Sequence, residues 1–554
     1  MKFEDIVKLL GDFGPYQKRL YFLLCIPTIS IGIQTIMTVF TLGVPNHRCS
    51  LPDWDNDTYA IQGNSHARAV NAAFTSPIEW TQHDSSCFIH DQKNGTGEGL
   101  TLYTNTTRKC DSWVYDMEQF GSTIVTKFGW VCDVKMAKSH AQMLFMLGFL
   151  LGSVVLVAPS DFTGRKKMFM VSVTLHVVST ISAAFVSNFT SLGLIYCMIG
   201  MSCIGVWSNS FVVGVELVGP SNRVWTGIIV EMFWTFGSVI VTAIAYFVRN
   251  WQHLQLIGSV PTVLFLTYYW LMPESPRWLI SKQRYEEADI ILRHAANVNK
   301  TTLPCNMFSG DRLDRKREVP LWRMFKRPSL VIRSLVLFFS WFVASIGFYG
   351  LGLNVANLGG SVYTNLFIAA LTELAGHASC LLLLNRIGRK VFHCTVMIIG
   401  GLCCTATILP VLYGNGSLNW LTIALALTGQ GFVVASFDII WLYSSELFPT
   451  VIRSSALAAA NIFARVGGTI SPYIASLALV ISGDFGPIVP LIIIGTTMIV
   501  AGLAALVLPE TLNNPLPDTI EEACRMKRGR NIRYHTGADY TSSQGDEIMK
   551  TLEL

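Results

Sequence analysis

Asp161-Phe162-Thr163-Gly164-Arg165-Lys166 and Asn385-Arg386-Ile387-Gly388-Arg389-Lys390 are two versions of one turn, and their glycines stand 224 residues apart. Two more pairs follow in the same order. Glu216 precedes Arg223 by seven residues and Glu446 precedes Arg453 by seven, at an offset of 230. Pro273-Glu274-Ser275 and Pro509-Glu510-Thr511 lie 236 apart. Three paired motifs at a nearly constant offset are an internal repeat, so the chain is built as two similar halves.

Each motif sits at the end of an apolar stretch. Twelve such stretches are long enough to span a bilayer as helices: 20–41, 141–158, 168–186, 191–213, 224–247, 254–272, 330–352, 362–384, 391–412, 419–442, 453–479 and 487–508. The first follows Lys18 and Arg19 but has no small-x-small cleavage site, so it reads as a retained helix rather than a signal peptide. The chain of 554 residues is 51% hydrophobic and only 14% charged, against about 25% charged in a soluble protein. The expected fold class is therefore an all-α membrane protein of twelve transmembrane helices in two six-helix halves. A net charge of +5, with no basic tract interleaved with aromatics, argues against a nucleic-acid partner.

Two polar segments interrupt the spans. The first, 42–140, carries sequons at Asn56, Asn94 and Asn105 and four cysteines, Cys49, Cys87, Cys110 and Cys132. Sequons and paired cysteines mark an oxidising, extracellular face. The cysteines allow three pairings, and the sequence does not choose among them. The second, 273–329, holds twelve Lys or Arg, six of them between Arg312 and Lys326, and the positive-inside rule places it in the cytoplasm. Five spans separate the two segments, so these assignments agree. The chain then divides into an N-terminus (1–19), a first half (20–272), a linker (273–329), a second half (330–508) and a polar tail (509–554), with both termini cytoplasmic.

The repeated turns fall at the cytoplasmic membrane edge. Asp161, Gly164, Arg165, Glu216 and Arg223 in the first half, and Gly388, Arg389, Glu446 and Arg453 in the second, form a candidate gating set. Arginines there pair with acidic groups and helix C-termini when the inner face closes.

Gly11-Asp12-Phe13-Gly14, Pro273-Glu274-Ser275-Pro276-Arg277-Trp278-Leu279, Asn357-Leu358-Gly359-Gly360, Glu446-Leu447-Phe448-Pro449-Thr450 and Val451-Ile452-Arg453 occur in this order. Over residues 5 to 525 or so the chain resembles the organic cation, carnitine and organic anion transporter family of the major facilitator superfamily. The segments Ile280 to Ala296 and Ser345 to Gly360 look most like its carnitine and zwitterion branch. The resemblance implies a major facilitator fold, a central cavity between the halves, a plasma-membrane location, and alternating-access transport of small organic ions. It also exposes departures. Ala158-Pro159 and Phe162 break the first-half turn and remove one arginine, and Asn385 replaces an acidic residue common in relatives. Four loop cysteines, where mammalian relatives often carry six, imply two disulfides.

Charges inside a membrane face water or a partner. The candidates are Glu231 in the fifth stretch, Glu373 and His377 in the eighth, Asp438 in the tenth and Arg465 in the eleventh. The resemblance places Glu373 at the acidic substrate position of cation carriers. It places Arg465 at a position that is acidic in cation carriers and arginine in anion and carnitine carriers. Three carboxylates facing one permanent cation suit neither a pure anion nor a pure cation. A zwitterion meets both, its carboxylate on Arg465 and its ammonium on Glu373 or Asp438. Trp341, Phe348, Tyr349, Trp441 and Tyr443 are candidate aromatic faces for a quaternary ammonium. Other roles stand beside these: Arg465 as a structural bridge to Glu373 or Asp438, Glu231 as a helix-pairing group, His377 as a packing residue rather than a proton relay.

No phosphate-binding loop, metalloprotease helix or nucleophile elbow is present, so no enzyme is expected. Cys380, Cys394, Cys403 and Cys404 lack a metal-ligand spacing with histidine, and no metal or other cofactor is expected. Sodium or proton coupling is left open. The expected partners are a small organic ion and the lipid bilayer, with no required protein. The alternatives are an organic anion exchanger and a non-transporting receptor that uses the extracellular loop.

Overall fold

The computed structural model describes residues 3–52, 54–74, 86–93, 102–219, 222–304, 307–308, 327–414, 417–481, 485–514, 516–517 and 519–526. Asn94, the basic run 312–326 and the tail beyond 526 lie outside the described residues.

Among the described residues, twelve helices are long and apolar enough to cross a membrane: Pro15–Thr41, Cys132–Thr163, Arg165–Phe185, Phe189–Glu216, Arg223–Phe247, Trp251–Leu271, Pro328–Asn357, Val362–Ile387, Arg389–Tyr413, Asn419–Leu447, Arg453–Val480 and Gly486–Ala505. They are called the first to twelfth spans below. Each matches one apolar stretch of the sequence; most extend it at one or both ends, whereas the twelfth stops at Ala505, short of the expected 508.

Local chemistry sets several boundaries. Asn188 caps the fourth span in a reciprocal box with Ser191, which satisfies N–H groups that the helix itself leaves free. Pro15 opens the first span, where its missing N–H costs nothing. The second and third spans, like the eighth and ninth, are separated by a single residue, Gly164 (φ 111°) or Gly388 (φ 103°). Only glycine adopts that conformation without strain. The second span also contains a π turn over Ser153–Val157, just before Pro159. Proline cannot donate to the helical ladder and clashes with the carbonyl four residues back, and the wider turn accommodates it.

Helix pairing repeats the sequence repeat. The first span packs on the fifth and the second on the fourth; correspondingly the seventh packs on the eleventh and the eighth on the tenth. The halves meet where the fifth span packs on the eighth and the second on the eleventh. Small residues permit the closest approaches. A Cβ on Gly148 would stand 2.2 Å from the Cys197 carbonyl oxygen, and one on Gly376 would stand 2.5 Å from that of Gly431. Such contacts replace the hydrophobic drive that lipid does not supply.

The segment between the first two spans forms a small cap. Strand His47–Cys49 pairs antiparallel with Trp113–Tyr115, and Phe88–Lys93 with Leu102–Lys109. The cysteines pair Cys49 with Cys110 and Cys87 with Cys132. Asn56 is exposed at a positive φ, and Asn105 sits in the strand Leu102–Lys109. Beside Cys49, buried Arg48 grips both oxygens of Asp57 at 2.6 and 2.9 Å, and His66 Nε2 reaches the same carboxylate at 2.9 Å.

At the opposite end, the short helix Phe3–Leu9 packs on the linker helix Tyr285–Asn299 through Ile6, Leu10, Leu292 and Ala295. Asn299 fixes this arrangement. Its amide donates to the Leu10 carbonyl and to Gln17, and its oxygen accepts from the Tyr16 N–H.

Candidate functional site

The five intramembrane charges come together between the halves. A small cavity of about 40 Å³ is lined by Glu231, His377, Asp438 and Arg465, with Phe149, Trp207, Trp234, Phe348 and Tyr349 among its aromatic walls. Glu373 lies just behind, one helical turn from His377.

Their pairings differ from a simple ion-pair core. Buried Glu373 accepts from Gln430 at 2.7 Å and from the Thr235 hydroxyl at 3.2 Å. His377 Nδ1 meets Asp438 Oδ2 at 2.7 Å, and its Nε2 lies 3.3 Å from the Thr235 oxygen. Arg465 is buried too, yet no carboxylate among the described residues lies within ion-pair distance of it. It donates a long bond of 3.4 Å to the Tyr349 hydroxyl, stands over the Phe149 ring at 5.4 Å, and has no acceptor for its Nε. The bridge from Arg465 to Glu373 or Asp438 that the sequence allowed is not formed. Glu231 likewise has no ion-pair partner among the described residues, and it is only half-buried.

Of the five aromatics singled out from sequence, Phe348 and Tyr349 line this cavity. Trp441 borders a second one. Trp341 donates to Ser444 and packs on Trp441, and Tyr443 donates to the Pro509 carbonyl, so both serve packing. Sequence reading missed Trp207, which stacks on Phe211 at 5.3 Å and faces Trp441 of the other half at 6.0 Å.

The second cavity, about 310 Å³, lies beyond this aromatic belt toward the linker end. Phe211, Val215, Arg223 and Gly227 face Leu384, Leu442, Ser445 and Leu457 across it, and Glu231 and Asp438 border it as well as the central cavity. At the cap end the halves are closed. His140 bonds the Tyr473 hydroxyl at 2.9 Å, the Tyr363 hydroxyl donates to the Gln119 carbonyl at 2.5 Å, and Phe40 stacks on Tyr363. The central charges are thus shielded on the cap side and border a wide cleft on the linker side.

The residues of the candidate gating set, Arg223 and Arg453 apart, gather in two matching clusters. Arg165 Nη1 meets Asp161 at 2.5 Å, and Nη2 lies 3.7 Å from Glu216. Arg389 grips Glu446 with two bonds of 3.1 and 3.3 Å. Glu274 accepts the N–H groups of Arg165 and Lys166, and Glu510 those of Arg389 and Lys390. Ser275 and Thr511 then donate to Glu216 and Glu446. Glu274, Ser275, Glu510 and Thr511 were visible as repeated motifs; the sequence did not show that they hold the other two motifs together. Arg223 pairs instead with Glu4 at 3.2 Å, and Arg453 donates to the Phe448 carbonyl. None of these contacts joins one half to the other.

Two six-helix halves around a central charged cavity, open to one side and closed to the other, define a secondary transporter of the major facilitator fold. The inward-open structure of the xylose transporter XylE from E. coli aligns over 92% of this chain and 99% of its own, with a TM-score of 0.58 and 14% identity; at that identity the likeness speaks for the fold alone. A model of the sugar (and other) transporter family matches residues 86–522. The organic cation transporter protein of Drosophila melanogaster is 34% identical over 94% of each chain. The organic cation/carnitine transporter 2 of Homo sapiens is 30% identical over 99% of each. The chain belongs to the sugar (and other) transporter family, and within it to the organic cation and carnitine transporters; it is a transporter and not an enzyme.

Proposed function

We propose that the protein carries small organic cations or zwitterions such as carnitine across the plasma membrane by alternating access, with both termini and the linker cytoplasmic. The halves 20–272 and 330–508 rock about the cavity, and the two arginine clusters steady the inner end of each half as it moves.

One observation carries this reading: Arg465 and Glu231, opposite in charge and each without an ion-pair partner among the described residues, border the same cavity. Keeping a lone guanidinium away from water is costly, and a substrate carboxylate would fill its open donors bidentately. Glu231 answers the cationic head within walls of Trp207, Trp234 and Phe348. Glu373 and Asp438, already held by Gln430, Thr235 and His377, set the local field instead. The names of the relatives support the same substrate classes.

The test is uptake of labelled carnitine, tetraethylammonium and p-aminohippurate in cells expressing the protein. Arg465→Ala is expected to abolish carnitine uptake and spare tetraethylammonium, whereas Glu231→Gln lowers both. Uptake of p-aminohippurate alone would make this an anion exchanger and refute the reading.

A further inference from the structure

His377 is the one group in the cavity that changes charge near neutral pH in its ordinary state, and its surroundings are wired around it. Asp438 of the tenth span sits at its Nδ1, and Thr235 of the fifth at its Nε2. The charged and titratable groups facing it are Glu231 from the fifth span, Tyr349 from the seventh, Asp438 from the tenth, Arg465 from the eleventh, and Glu373 and Cys380 from its own helix.

The hydrogen count of this network is instructive. As imidazolium, His377 donates from Nδ1 to Asp438 and from Nε2 to the Thr235 oxygen. The Thr235 hydroxyl is then free to donate to Glu373 Oε2, 3.2 Å away, in preference to the Glu231 carbonyl at 3.4 Å, and every donor has an acceptor. Remove one proton from Nε2 and that nitrogen becomes an acceptor. The Thr235 hydroxyl turns to it, and Glu373 Oε2 loses its donor while Oε1 keeps Gln430. A single proton therefore switches one hydroxyl and adds or removes one positive charge beside Asp438 and Glu231. Those two carboxylates border both cavities, so the proton has a way out toward the linker side.

We propose that His377 is a coupling-proton site, and that the proton and the cationic head of the substrate occupy the cavity alternately, so that the protein exchanges protons for organic cations. The argument rests on the transport reading above. Protonated His377 neutralises the field that draws a cation to Glu231, and a bound cation in turn favours loss of the proton. The coupling is reciprocal by thermodynamic necessity. In the balanced cycle a cation entering from one aqueous phase displaces the His377 proton back into that same phase; after the halves rock, the cation leaves into the other phase as a proton from there takes its place on His377.

The experiment uses the full chain in proteoliposomes with the membrane potential clamped at zero. Counterflow of labelled against unlabelled tetraethylammonium needs no proton movement and tests transport itself. An acid-inside gradient of about one pH unit is expected to drive roughly tenfold accumulation of the label, and a dye in the lumen should report alkalinisation when tetraethylammonium is added outside. In His377→Gln the accumulation, normalised to that variant's own counterflow, is expected to vanish. Should His377→Gln carry nothing, Thr235→Val decides: a shifted pH profile of uptake supports the relay, and an unmoved profile overturns it. Wild-type counterflow without any response to the gradient overturns the proton site and leaves the transport reading standing. Absence of counterflow for both tetraethylammonium and carnitine refutes the transport reading instead.

Discussion

Glu510 is the group whose removal should reveal most about how each half holds its inner end. Its Oε1 accepts from the N–H groups of Arg389, Thr511 and Leu512, each at 2.9 Å, and its Oε2 from Lys390 at 3.1 Å. Arg389 and Lys390 open the ninth span, so a negative charge there also meets the positive end of that helix. Glu510→Ala leaves two helix-end N–H groups without their acceptor and removes the charge, a cost of about 2–4 kcal/mol. Glu510→Gln keeps an oxygen and loses only the charge, for about 1–2 kcal/mol. Gly388→Ala should act through the same carboxylate. Its new Cβ would stand 2.6 Å from Glu510 Oε2, on a residue at φ 103°, so the cap is expelled and backbone strain of about 1–3 kcal/mol is added. The assay is thermal unfolding of the purified protein in detergent, with the order of apparent melting temperatures expected to be wild type, Glu510→Gln, Glu510→Ala. The double variant Gly388→Ala with Glu510→Ala should lose less than the sum of the singles, because both remove one interaction. Additive losses would show that Gly388 and Glu510 act independently and would refute the reasoning. Glu274→Ala, at the matching site of the first half, is expected to cost about as much as Glu510→Ala.

Two other sites give separate predictions. In the cap, burial alone would push the Asp57 carboxyl up, but hydrogen bonds from Arg48, the Leu51 N–H and His66 outweigh it and hold the group below the ordinary carboxylate range. A carboxyl lowered in the folded state stabilises the cap at every pH above its unfolded value near ~3.9 and loses that contribution only as pH falls through the folded value. Amide hydrogen exchange across the segment 47–74 should therefore be as slow at pH ~5 as at pH ~7 apart from the intrinsic rate, and Asp57→Asn should speed it at both. At the other end, Asn299→Ala removes three hydrogen bonds that join the N-terminus to the linker helix, a loss of about 1–3 kcal/mol. Limited proteolysis should then cut near Leu10 and Tyr16 at protease levels that leave the wild type intact.

The architecture was legible because lipid imposes it. A bilayer demands long apolar helices, so twelve spans and the repeat of their end motifs could be read directly. It also makes an isolated charge expensive, so Glu231, Glu373, Asp438 and Arg465 announced themselves and do converge on one region. Azimuth was not legible. All sides of such helices are apolar, and hydropathy says little about which face meets which neighbour. Hence Trp207, one of 14 tryptophans, gave no sign of facing Trp441, and Gln430 gave none of holding Glu373. Arg223 was read with Glu216 from spacing alone. The structure turns it to Glu4, because the N-terminal helix docks beside it by contacts that the sequence of either partner does not display. The cysteine pairing was likewise undetermined until the cap strands set Cys49 beside Cys110.

The two clusters also show how an asymmetric sequence fills a symmetric frame. Asp161 and Asn385 occupy equivalent places, each four residues before the cluster arginine. Arg165 leans on Asp161, whose side chain is 67% exposed, and stays 3.7 Å from Glu216. Arg389 has no acid at Asn385; it donates twice to Glu446, whose side chain is only 16% exposed, and once to the Leu384 carbonyl. The better-shielded pair carries more weight, since an exposed surface ion pair contributes only about 0.2–1 kcal/mol. Asn385→Asp, which copies the first-half acid into the second, should therefore shift the apparent melting temperature by no more than measurement scatter. Glu446→Gln leaves the Arg389 guanidinium half-answered and weakens the acceptor of Thr511, at a cost of about 1–3 kcal/mol. A stabilisation by Asn385→Asp comparable in size to the loss from Glu446→Gln would mean that the exposed acid, and not the shielded one, is what anchors the arginine in each half.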